Sequence, residues 1–185
     1  MGKVYFYNSK RQKLAGVFHN QGDKGVIVSH GFASNKENVS MYTEFLQSKG
    51  YSTLAFDYSG HGESAGVLAE TSAAKWEDDL NSAIDFMKQR CNKLALLGFS
   101  LGGMSSLLCS GRSDATVAIA PPTNFRKLAM HFIKSGLIKE FGKKKLQRKI
   151  FKQDILRFLQ RPKPSCMNYI NMFLLTILLK QQTEI

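Results

Sequence analysis

Along residues 1–125 the apolar positions switch repeatedly between the two-residue period of a strand and the 3.6-residue period of a helix. Val4-Tyr-Phe-Tyr7 and Leu14-Ala-Gly-Val-Phe18 read as two short strands joined by the polar turn Asn8-Ser-Lys-Arg-Gln12. Gly25-Val-Ile-Val-Ser29 is nearly all apolar, the pattern of a strand covered on both faces. A helix follows, with Met41, Phe45 and Leu46 on its apolar side and Gly50 as its C-terminal cap. Tyr51-Ser-Thr-Leu-Ala-Phe56 is the next core strand. The stretch from Trp76 to Lys88 puts apolar residues at 76, 80, 83, 84 and 87, with Glu77, Asp78 and Asp79 where acids favour a helix start. Lys93–Leu97 then reads as a strand, Leu101–Cys109 as a helix of small residues, and Ala115–Ala120 as a sixth strand stopped by Pro121 and Pro122. This alternation predicts an α/β fold: a mostly parallel sheet of about six strands, the second antiparallel, flanked by helices.

From Phe125 the pattern changes. Leu128, Phe132, Leu137, Ile138 and Phe141 recur at helical intervals among many lysines, and Arg161-Pro-Lys-Pro-Ser165 ends any helix. The chain of 185 residues divides into a core over 1–125, a basic helical segment over 126–158 and an atypical tail over 159–185. Charge follows the same division. The net charge is +12, yet residues 1–125 hold 12 Lys and Arg against 11 Asp and Glu, whereas 126–163 hold 13 against 2. Basicity is thus a property of one segment, and no nucleic-acid motif accompanies it, so nucleic acid is not an expected partner. Cys91, Cys109 and Cys166 form no C-x-x-C pair, which suggests neither a metal site nor a disulfide framework. With no apolar leader after Met1, they read as reduced thiols of a cytoplasmic protein. The apolar run Met172–Leu179 is far shorter than the roughly 20 residues of a membrane span.

Three short motifs carry the chemistry. Gly98-Phe-Ser-Leu-Gly-Gly103 lies between a buried strand and a small-residue helix, where G-x-S-x-G makes a sharp elbow presenting Ser100 at the helix N-terminus. Glycine at 98, 102 and 103 suits the crowding of such a turn. Ser29-His-Gly-Phe-Ala33 follows the third strand, and Asp57-Tyr-Ser-Gly-His-Gly-Glu-Ser64 follows the fourth. In this order the motifs resemble the α/β-hydrolase superfamily, and most of all its serine aminopeptidase-like and esterase-like branch, which includes monoacylglycerol lipases. The resemblance covers roughly residues 12–125. It implies Ser100 as the nucleophile, with the backbone N–H groups of Phe32 and Leu101 as the oxyanion hole. Gly31 would let the main chain approach the substrate. His30 is then expected to order its loop, and Asp57 and His61 to build the turn after the fourth strand.

A serine nucleophile needs a base, and the base needs an acid. The superfamily places them after later strands, yet Ser100 is followed by one histidine, His131, in the basic segment. Among the acids past Asp114 are only Glu140, Asp154 and Glu184, and none precedes a histidine. The expectation is a C-terminally truncated hydrolase of carboxylic esters or small amides, using no cofactor and inactive or impaired as encoded. The alternatives are a non-catalytic remnant or binding module, and an acyltransferase. The basic segment reads as a cap whose lysines are solvated. Its alternative is peripheral membrane contact, with Lys143–Lys145, Phe141, Leu146, Ile150 and Phe151 on anionic lipid. Without a seventh strand, the apolar Ala115–Ala120 would be an open edge, so self-association is expected.

Overall fold

The computed structural model describes residues 2–122. The expected cap-like segment 126–158, the tail 159–185, His131 and Cys166 lie outside the described residues. Six strands form one sheet: β1 (Gly2–Tyr7), β2 (Lys13–His19), β3 (Lys24–Ser29), β4 (Ser52–Phe56), β5 (Lys93–Phe99) and β6 (Ala115–Ile119). Their order is β1-β2-β4-β3-β5-β6. β2 runs antiparallel to both neighbours, while β4, β3, β5 and β6 are mutually parallel. The helices are α1 (Ser40–Ser48), α2 (Ala73–Lys88) and α3 (Leu101–Leu108). This is the expected α/β architecture with a mostly parallel sheet.

The central strands explain themselves. β3 and β4 pair with each other, and every residue from Gly25 to Ser29 and from Ser52 to Phe56 is buried, as uninterrupted apolar runs require. The larger core lies between the sheet and α2 with α3, where Leu54, Phe56, Leu80, Ile84 and Met87 are fully covered. At about 1.5–3 kcal/mol for each large side chain removed from water, this layer dominates the stabilisation. A smaller layer under α1 holds Val26, Val28, Val39 and Ala55.

Two helices differ from expectation. In α1, Met41 and Phe45 are 68% and 62% exposed. The inward stripe runs through the buried Val39 and Thr43 and the partly buried Tyr42 and Leu46, of which Leu46 is as expected. A 3-10 turn over Lys36–Val39 enters the helix with Val39 already in the core, and that fixes the roll of the next two turns. The stop is as expected: Gly50 has φ +84, and the N–H groups of Gly50 and Tyr51 donate to Gln47 and Leu46. α2 starts earlier than its apolar pattern suggests, at Ala73, capped by the Ser72 side chain accepting from the Lys75 N–H. Its first turn therefore contains no acid, and Asp79 lies well inside the helix, fully buried.

Candidate active site

Ser100 is the hinge residue between β5, whose last residue is Phe99, and α3, whose first is Leu101. Its backbone sits at φ +53 and ψ −113, a conformation that costs a non-glycine residue about 1–3 kcal/mol. Both of its backbone groups are engaged, which holds the strain in place. The Ser100 N–H donates to the Ile119 carbonyl of β6 at 2.8 Å, and the Ser100 carbonyl accepts from Met104 at 3.0 Å. The glycines around it are required by contact. A Cβ on Gly98 would fall 2.1 Å from the Gly102 carbonyl oxygen, one on Gly102 2.3 Å from that of Ser29, and one on Gly103 2.9 Å from that of Gly98. The first turn of α3 thus lies directly on the ends of β3 and β5. Below it, the fully buried Tyr58 hydroxyl bonds Ser105 Oγ at 2.5 Å, tying the loop after β4 to α3. Burial pushes the Tyr58 pKa up, which keeps the phenol neutral.

The loop after β3 passes beside the elbow. A Cβ on Gly31 would lie 3.5 Å from Ser100 Cβ and 3.6 Å from the Phe99 ring, ordinary contact distances. Existing packing therefore does not demand glycine here, in contrast to 98, 102 and 103. His30 is fully buried; its Nδ1–H donates to the Gly31 carbonyl at 2.7 Å, and its Nε2 accepts from the Tyr58 N–H at 3.2 Å. Burial lowers its pKa to about 4, so the ring is neutral at physiological pH. His61, also buried, donates from Nδ1 to the Ser59 carbonyl at 3.2 Å and accepts at Nε2 from the Ala33 N–H at 3.3 Å.

A buried ion pair fastens the same two loops. Asp57 accepts from the Lys36 N–H at 2.7 Å, from Lys36 Nζ at 2.8 Å and from the Glu63 N–H at 2.9 Å. The side chains of Lys36 and Asp57 are 3% and 0% exposed. Burial alone would lower the Lys36 pKa, but hydrogen bonds to Asp57, Glu37 and Glu63 outweigh it and the net shift is upward. Gly62 fits against this carboxylate at φ +47, where a Cβ would lie 2.3 Å from Asp57 Oδ2. Asp79 of α2 adds a further tie, accepting from Asn8 Nδ2 and from the Ser59 N–H, both at 2.8 Å.

The fold brings Ser100, Leu101, Gly31 and the loop of Phe32 close together. Leu101 is 2% exposed and lies in the first turn of α3, where helix geometry supplies no acceptor for its N–H. Both histidines of these loops already have their ring nitrogens committed to backbone partners. His131 lies outside the described residues. Lys36 and Asp79 were missed by sequence reasoning. Asp79 carried a usable signal, since it adjoins the apolar stripe 76, 80, 83 and 87 of α2; Lys36 carried none. Among the described residues no group of His, Cys, Asp and Glu is arranged to hold a metal ion, and no helix is long and apolar enough to cross a membrane.

Comparison with known proteins bears on the family and the fold. The family described as serine aminopeptidase, S33, matches residues 20–171. A carboxylesterase of Bacillus subtilis is 34% identical over 87 residues, covering 46% of this chain and 35% of that protein. The mitochondrial palmitoyl-protein thioesterase ABHD10 of Rattus norvegicus is 42% identical over 99 residues, covering 51% of this chain and 32% of its own length. These matches span about a third of each relative's length. Among solved structures, an esterase of Pyrococcus furiosus superposes with a TM-score of 0.66 at 27% identity, over 74% of this chain and 55% of that one. The chain belongs to the serine aminopeptidase S33 family of α/β hydrolases.

Proposed function

We propose that this chain carries the nucleophile and oxyanion half of a hydrolase acting on small acyl esters or amides. Ser100 is the nucleophile, and the N–H groups of Phe32 and Leu101 are the donors to the oxyanion. The observation that carries the reading is the strained Ser100 backbone at a strand–helix elbow, with Gly31 alongside. The esterase and thioesterase names of the relatives support an acyl substrate. Transfer of the acyl group to an alcohol in place of water would use the same parts. Among the described residues both loop histidines are committed to backbone partners, and slow turnover is the expected result. The buried Cys91 thiol suits a reducing compartment, and we propose a cytoplasmic location.

The test treats the full chain with a fluorophosphonate probe and with p-nitrophenyl butyrate, beside Ser100→Ala. Slow labelling confined to Ser100, with ester turnover at most slightly above the Ser100→Ala control, is the expected result; the oxyanion hole and binding alone can leave such residual catalysis. No labelling at Ser100 would make the protein a binding module. Fast Ser100-dependent turnover would reveal a base, and His131 would be the first residue to replace.

A further inference from the structure

The two peptide groups flanking Phe32 are each held by a histidine ring. The Gly31 carbonyl, which accepts from His30 Nδ1–H at 2.7 Å, belongs to the same planar trans peptide as the Phe32 N–H. Fixing one end of that plane aims the other in the opposite direction. The next peptide is held at its N–H end, by the Ala33 donation to His61 Nε2 at 3.3 Å. Ala33 adopts φ +53, a conformation a residue with a side chain keeps only when its surroundings hold it. Both rings are therefore the same tautomer. Each donates from Nδ1 to a carbonyl, of Gly31 or Ser59, and accepts at Nε2 from a backbone N–H, of Tyr58 or Ala33. An imidazolium has two donors and no acceptor, so neither ring can take a proton without expelling a backbone partner.

We propose that His61 is a positioning residue of the loop after β3: as a neutral Nδ1–H imidazole it holds the Ala33 N–H and so fixes the peptide that follows Phe32, complementing His30, which aims the Phe32 N–H through the Gly31 carbonyl, and a proton on Nε2 releases it. The catalytic meaning of this rests on the reading of Phe32 as an oxyanion donor; the clamp itself does not. His61 does not touch the reacting atoms and acts through the loop. Its rings of contact are consistent with that role, with His30 at 5.2 Å and Phe32 at 5.9 Å between centroids.

The titratable groups near His61 come from three places. His30 faces it from the loop after β3. Asp57, in its own loop, is already paired with Lys36. Asp79, from α2, is occupied by Asn8 and the Ser59 N–H. Burial lowers the His61 pKa and prevails over the raising influence of the Ser59 carbonyl and the two carboxylates. The clamp is thus closed at neutral pH and opens as pH falls through that lowered value, the direction expected when a depressed imidazole must charge.

NMR of the full ¹⁵N-labelled chain tests this without turnover. In the wild type, His61 is expected as the Nδ1–H tautomer at neutral pH, and on acidification the Phe32 and Ala33 amide shifts are expected to follow the His61 ring nitrogens on one curve. His61→Phe keeps an aromatic ring but removes the acceptor, and should speed Ala33 amide exchange by about tenfold, the worth of one hydrogen bond. His61→Gln, whose side-chain oxygen can accept the same N–H, should restore protection and remove the pH dependence. An Nε2–H tautomer, or Phe32 and Ala33 amides indifferent to the titration of His61, would overturn the proposal. If His61→Phe does not fold, the wild-type titration decides alone. Absent labelling of Ser100 would defeat the hydrolase reading and leave the clamp standing, whereas indifferent amides would defeat the clamp even with Ser100 labelled.

Discussion

At the scale of single residues, the glycines near Ser100 fall into two kinds, and one methyl group separates them. On Gly102 it would meet the carbonyl oxygens of Ser29 and His30 at 2.3 and 2.6 Å, both backbone atoms that cannot step aside. Gly102→Ala is expected to destabilise the chain by about 3 kcal/mol, the upper end for forcing extra volume into a packed site. Gly31→Ala adds its methyl at ordinary contact distance and should cost under about 1 kcal/mol by the same reasoning. Urea denaturation of the two variants beside wild type checks the contrast; equal losses would mean that the elbow relaxes. The elbow motif was readable in the sequence, because Gly98, Ser100, Gly102 and Gly103 lie within six residues, whereas the contact of Gly102 with Ser29 and His30 arises only in the fold. The partners of Lys36 and Asp79 were not readable, because Asp57 and Asn8 stand 21 and 71 positions away. A lysine in a polar loop looks solvated until the fold closes over it.

Between elements, the loop after β3 and the loop after β4 behave as one body. They exchange hydrogen bonds in both directions through His30 and His61, and the Lys36–Asp57 pair fastens them at the base. Removing one member of a buried pair leaves the other charged and uncompensated, typically at a cost of about 3–5 kcal/mol. Lys36→Met is therefore expected to lose about that much stability, with part regained in Lys36→Met/Asp57→Asn, where no buried charge is stranded. A urea-derived loss below about 1 kcal/mol for Lys36→Met would show the pair to be solvated, as surface pairs are. The order and type of the elements were legible from periodicity, while two finer properties were not. The roll of α1 is set by Val39 in the preceding 3-10 turn, so the exposed Met41 and Phe45 carried a false apolar signal. The start of α2 is set by the Ser72 cap, four residues ahead of Trp76.

For the molecule as a whole, the sheet buries its centre well and its described margin less. In β6 only Ala118 is buried, and β5 is its sole strand partner among the described residues. Val117 and Ile119 are partly exposed, and no charge or proline interrupts the strand from Ala115 to Ile119. Such an edge invites pairing with another copy, and we expect the purified chain to self-associate. Size-exclusion chromatography across a concentration series should show a concentration-dependent elution volume. A monomer that unfolds in one cooperative step, with a urea slope appropriate to the chain's size, would refute this. The margin matters beyond solubility, because the bond that steadies the Ser100 backbone ends on Ile119. Outer strands fray before central ones. Each time β6 opens, the peptide ahead of the reactive hydroxyl loses its anchor and its strained conformation can relax. The nucleophile is thus wired to the outermost described strand on its side of the sheet, and whatever steadies that strand tunes the serine.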